Sequence, residues 1–211
     1  MKEDITGLYC FVDEFTKFYQ MYEKAGFLPS NKVRHREGQL SLSEMLTIYI
    51  LYSQSPCKNF KHYYKRYICV FYRKEFPGLI SYERFVCLIP RLLLPLCIFL
   101  HCLFGKQTGT YIIDSSKLAV CHNKRIHSHK VFAGFAARSK STMGWFFGLK
   151  LHLIINDEGE LMAAKITPGN VDDRAPLMAM SKDLVGILLA DKGYTYVRFY
   201  SYFYSSFLFL A

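Results

Sequence analysis

The chain predicts an α/β protein in two parts, an α-helical N-terminal domain over residues 1–104 and a mixed-sheet core over residues 105–193. Three observations carry this. Apolar residues recur at helical spacing through the first half. Gly105-Lys106-Gln107-Thr108-Gly109 then reads as a boundary, after which the period falls to two. Beyond it, two short apolar runs, Tyr111-Ile112-Ile113-Asp114 and Leu188-Leu189-Ala190-Asp191, each end in an aspartate.

The first helix is predicted over residues 5–24, with Leu8, Phe11, Val12, Phe15, Phe18 and Tyr19 as its apolar stripe and Gly26 as its stop. Ser41-Leu42-Ser43-Glu44 has the capping-box pattern. It opens a helix striped by Leu42, Met45, Leu46, Tyr49 and Ile50 and closed by Pro56. Residues 58–75 interleave Lys58, Lys61, Lys65, Arg66, Arg73 and Lys74 with Tyr63, Tyr64, Tyr67 and Phe71. Such a helix can lie along a phosphate backbone with tyrosines against sugars, or simply keep a solvated basic face over a packing face. After Pro77-Gly78, Ser81 is placed to cap the next helix. Residues 86–104 are strongly apolar, but Pro90, Arg91, Pro95 and His101 interrupt them. A buried helix or helix pair is expected there, with no stable membrane association.

In the second half, residues 110–114 predict a short strand. Residues 145–155 alternate, with Leu149, Leu151, Leu153 and Ile155 on one face. Asn156-Asp157-Glu158-Gly159 is a turn and Glu160–Thr167 the returning strand of a hairpin. Asp172-Asp173 suit the start of a helix to about Lys182, and Val185–Ala190 form a last apolar strand. A helical crossover would make that strand parallel to its neighbours, with Asp191 at the same sheet end as Asp114.

Net charge is +10, from 27 Lys and Arg against 17 Asp and Glu, which favours a polyanionic partner: nucleic acid first, an anionic membrane second. The 7 cysteines include no C-x-x-C and read as buried thiols of a reducing compartment. Cys121, His122, His127 and His129 fit no standard zinc spacing. The N-terminus (MKEDITGLYC) lacks the pattern of a signal peptide.

A strand that delivers a carboxylate presents a ligand from a rigid support. Two such strands side by side can hold the divalent cations, Mg2+ or Mn2+, that phosphodiester chemistry uses. Asp114 and Asp191 are therefore the candidate catalytic and metal-binding residues, although a strand-end aspartate also commonly caps a turn. Between Asp114 and Asp157 there is no acid. That stretch holds Lys117, Lys124, Arg125, Lys130, Arg138 and Lys140 as candidate DNA-binding residues, together with Lys150, His122, His127, His129 and His152. Trp145, the 1 tryptophan of the chain, suits a core position more readily than a stacking site for a displaced base.

YIIDSSKLAVCHNKR, GWFFGLKLHLIINDEGELMAAKITPGNVDDR and LLADKGY, in that order, resemble the catalytic core of insertion-sequence transposases of the DDE group. The resemblance covers about residues 105–194 and implies a partial ribonuclease-H-like mixed sheet. It makes Asp114 the first and Asp191 the second metal-binding acid. It further implies cleavage at element ends and strand transfer into target DNA by two-metal chemistry, double-stranded DNA as partner, a possible homo-oligomer, and a cytoplasmic, nucleoid-associated location in bacteria. The family's third acid, a downstream glutamate, has no counterpart in residues 194–211 (YTYVRFYSYFYSSFLFLA). This aromatic tail is expected to be out of frame, an edge strand or hydrophobic anchor being the alternative. The expected consequence is a truncated core with impaired or absent catalysis. The alternative function is a non-catalytic DNA-binding fragment able to inhibit an intact transposase.

Overall fold

Side-chain caps at Ser41, Asn59 and Ser81 start three helical segments of the first unit. The computed structural model describes residues 5–28 and 38–190, and the chain divides into units of residues 1–102 and 103–211. Asp191 and the aromatic stretch 194–211 lie outside the described residues. In the first unit, α1 spans Ile5–Lys24 and α2 spans Leu42–Gln54. Ser41 Oγ accepts the Glu44 N–H at 3.1 Å, and the Glu44 carboxylate accepts the Ser41 N–H at 2.7 Å, completing the predicted capping box. Ser43 Oγ donates to Asp13 Oδ1 at 2.7 Å and lies 2.7 Å from Thr16 Oγ1, tying α1 to α2.

Those polar bonds set the rotation of α1. Its buried face is Ile5, Val12, Thr16 and Tyr19, whereas Phe11 and Phe18 of the predicted stripe are exposed. Helix α3, residues 60–71, contains a π-helical stretch, Tyr63–Ile68. Both Tyr63 and Tyr64 are fully buried, donating to Ile48 O at 2.9 Å and Ile80 O at 2.8 Å. The wider π turn lets neighbouring residues share the inward side. These tyrosines are core, which removes them as sugar contacts. Ser81 caps α4 (Tyr82–Leu88), and a 3-10 turn over Ile89–Leu92 leads into α5 (Leu93–Cys102).

The stretch Tyr82–Cys102 has mean hydropathy 2.1, enough by length and composition to cross a bilayer, yet only 22% of its apolar window is buried. The expectation of a buried helix or helix pair over residues 86–104 is therefore overturned for most of the stretch: Leu92, Pro95 and Phe99 are buried, while Val86, Leu93, Leu94, Leu100 and Leu103 are exposed. The cysteine expectation needs the same correction. Cys10, Cys87, Cys97 and Cys102 are exposed, and all are free thiols.

The second unit is a mixed five-stranded sheet, as a ribonuclease-H-like core requires: β1 (Thr110–Cys121), β2 (Ala137–Ser141), β3 (Gly144–Asn156), β4 (Leu161–Pro168) and β5 (Ile187–Ala190). β1 runs antiparallel to β3 and parallel to β5. β4 and β2 follow one another along β3, the first ending at Leu149–Pro168 and the second starting at Gly148–Ala137. The core gathers Tyr111, Ile113, Ile154, Met162 and Leu188 under Leu177 of the short helix α6 (Leu177–Ser181).

Three expectations change here. β1 continues past Asp114, because Ser115, Ser116, Lys117 and Leu118 find ladder partners in the long β3. The buried side of β3 carries His152, Ile154 and Asn156, whereas Leu151, Leu153 and Ile155 lie half-buried on the other side. Each of the polar pair is bonded, although His152 Nδ1 has no hydrogen-bond partner among the described residues. His152 Nε2 is 2.9 Å from Thr167 Oγ1, and Asn156 donates to Glu160 Oε2 at 2.9 Å while accepting the Glu160 N–H at 2.7 Å. Finally, the helix expected from Asp172 begins only at Leu177, since the acids before it are spent on side-chain pairs in the preceding loop.

Candidate nucleic-acid cleft

Asp114 sits within β1, opposite Leu153 in the ladder, with its side chain exposed. Its Oδ1 accepts the Ser115 N–H at 2.7 Å. Among the described residues no cation stands within ion-pairing distance of this carboxylate. It opens onto a cleft of about 700 Å³ whose polar walls include Ser116, Lys117, Lys140, Lys150 and Asp173.

The three lysines of the cleft are not equivalent. Lys150 Nζ lies 2.9 Å from Asp173 Oδ1 and donates to Val171 O at 2.9 Å, so its charge is compensated and its chain holds the loop after β4. Lys117 Nζ donates to the Ser141 hydroxyl at 3.3 Å, and neither Lys117 nor Lys140 has a carboxylate partner among the described residues. Their positive charge is left for an external anion. The same loop is braced by Arg174, whose Nε and Nη2 donate to the two oxygens of Asp172 at 2.8 and 2.6 Å. That guanidinium holds the Asp172 carboxyl well below the usual carboxylate range.

The other candidate cations lie outside this lining. Lys124 and Arg125 are exposed on the 3-10 turn Asn123–Ser128, and Lys130 is exposed in the loop that follows. Arg138, on β2, places its guanidinium 4.8 Å from the centre of the Trp145 ring. Trp145 is 54% exposed and absent from the sheet core, so its assignment as a core residue is overturned. His152 leaves the basic surface for the interior. Burial holds its imidazole below the ordinary histidine range, against an opposing pull from Asp173.

Sequence reasoning placed Lys150 among the cations of the acid-free stretch but missed its pairing with Asp173, and missed Asp173 as a wall of this cleft. The available signal was that Asp172-Asp173 are the first acids after the β3–β4 hairpin, and that Lys150 alternates in phase with the inward His152. Asp191 lies outside the described residues; the parallel ladder ends at Ile113–Ala190, each one position before an aspartate.

Among the described residues no group of three His, Cys, Asp or Glu side chains is arranged to hold a metal. Magnesium often takes only one or two carboxylates and completes its shell with water and substrate phosphate. An unneutralised Asp114 beside two uncompensated lysines fits a cation that arrives with phosphate, rather than a preformed protein cage.

Residues 104–207 match a family model described as a transposase DDE domain. The match runs into the aromatic stretch expected to be out of frame. No curated protein and no solved structure gives a significant match.

Proposed function

The second half of the chain is a transposase DDE domain, and from that premise we propose that it binds the DNA of element ends and target in the Asp114 cleft and cuts and rejoins phosphodiester bonds there. Lys117 and Lys140 neutralise backbone phosphates, and the compensated Lys150 keeps the Asp173 loop in place as a wall. Asp114 and Asp191 are the residues proposed to hold Mg2+ or Mn2+. When bound, such ions lower the pKa of an attacking water or 3′-hydroxyl and stabilise the leaving oxygen. The chain's own contribution is to carry Asp114 on a strand paired with β3 through that position and with β5 up to the residue before it, so that the carboxylate meets the phosphate without reorganisation.

The observation that carries this reading is the parallel β1–β5 ladder, running on each strand to the residue before an aspartate. The test is nicking of supercoiled DNA with and without Mg2+, by the wild type and Asp114→Asn. Metal-dependent nicking that vanishes in the variant, with binding retained, supports it. Nicking that persists at the wild-type rate in Asp114→Asn sinks it. A second reading, DNA binding without chemistry, is favoured by the acids of the cleft: among the described residues only Asp173 lines it beside Asp114, and Asp173 is held by Lys150. Tight binding with no metal-dependent nicking by the wild type would select that reading.

A further inference from the structure

The β2–β3 hairpin contains an arrangement that folding does not explain. Its tip, Lys140, Ser141, Thr142 and Met143, forms a wall of the Asp114 cleft, and Met143 is 84% exposed. Lys140 is the direct ladder partner of Trp145, and Arg138 is the partner of Phe147, so these four side chains share one side of the hairpin. On that side the Arg138 guanidinium covers the Trp145 ring at 4.8 Å, while 54% of the tryptophan stays in solvent. Asn123 Nδ2 donates to Trp145 O at 2.8 Å, pinning this part of β3 to the 3-10 turn that bears Lys124 and Arg125. A large ring, oriented in advance and left wet among cations, contributes little to the core. It does make a stacking platform.

We propose that Trp145, with Arg138, stacks an unpaired nucleobase at the rim of the Asp114 cleft, so that the domain prefers DNA with a frayed or single-stranded end to fully paired duplex. Any base presents a π face to the indole, and the Arg138 guanidinium supplies a second planar, cationic surface. Lys140, across the ladder and inside the cleft, takes the adjoining phosphate. Trp145 lies eight residues along β3 from Leu153, the ladder partner of Asp114, so a base held there stands several nucleotides along the strand from the phosphate at Asp114. This inference rests on the domain engaging DNA, and it adds which form of DNA.

The sole tryptophan makes the test direct. Emission of the full chain is recorded during titration with a blunt duplex and with the same duplex carrying a three-thymine overhang, binding of each being followed by anisotropy. The overhang is expected to quench Trp145 and to bind more tightly than the blunt end. Trp145→Leu is expected to lose that preference, roughly 5- to 150-fold as for loss of one stacked base, while binding blunt duplex as the wild type does. Trp145→Phe should retain part of the preference and Arg138→Gln should weaken it. Equal quenching by both duplexes, or a preference intact in Trp145→Leu, overturns the stacking site and leaves the proposed function standing. Absence of binding to either duplex overturns both.

Discussion

Salt dependence separates the cleft lysines by charge state, and the expected size follows from their partners. Lys117 and Lys140 line the cleft with no carboxylate against them among the described residues, whereas Lys150 is already balanced by Asp173 at 2.9 Å. Each phosphate neutralised on duplex DNA adds about 0.9 to the magnitude of the slope of log K against log salt. Replacing both Lys117 and Lys140 by Gln should therefore flatten the slope by about 1.8. Between about 50 and about 200 mM salt, wild-type affinity should then fall roughly twelvefold more than that of the double variant. Lys150→Gln should leave the slope near the wild-type value, because no counterion is released by a charge already paired within the protein. The assay is fluorescence anisotropy with a random-sequence duplex at four or more salt concentrations. An unchanged slope in Lys117→Gln/Lys140→Gln, or a loss of about 0.9 in Lys150→Gln, would refute the assignment of free and compensated charges.

Three further outcomes follow from the packing. A double-mutant cycle of Lys150→Met and Asp173→Asn in urea should give a coupling of about 1–2 kcal/mol, since the pair is mostly withdrawn from solvent; a coupling near zero would show that the loop does not depend on it. His152 is buried with its pKa lowered, so the unfolded chain takes up a proton first as pH falls below the ordinary value near 6.5. Stability should accordingly drop between pH 7.5 and 5.5, and His152→Gln should flatten that pH dependence; an equal slope in both proteins rejects this role. In the helical unit, Tyr63→Phe should cost about 1 kcal/mol by removing the hydroxyl that donates to Ile48 O, read as a lower urea midpoint at constant m-value.

Much of the order of elements was legible because it rests on local chemistry. The Ser41 capping box and the turn before Gly159 are decided within a few residues, and both stand in the structure. The parallel placement of β5 against β1 followed from chain connectivity. Facing and length were less legible, because long-range partners decide them. Ser115, Ser116 and Lys117 look like the end of a strand until the long β3 supplies their ladder. Leu151, Leu153 and Ile155 look like the inward set until Thr167 and Glu160 satisfy His152 and Asn156. Of the cleft, Asp114, Lys117 and Lys140 could be named from sequence. Lys150 was named only as one more cation of the acid-free stretch, and its pairing with Asp173 could not be read, since that depends on a loop folding back across the sheet.

The interior position of Asp114 in β1 bears on how the site keeps its shape over time. A side chain at the tip of a strand inherits the fraying of that tip, and its mean position is an average over openings of the last few bonds. Asp114 has ladder bonds on either side along β3, from Tyr111 to Cys121. Displacing it demands that several of these rungs open together, an event belonging to the slow, cooperative class of motion rather than to loop fluctuation. Amide exchange at Asp114 should therefore track the unfolding of the whole sheet, making the carboxylate a fixed landmark toward which the DNA, and not the protein, has to move.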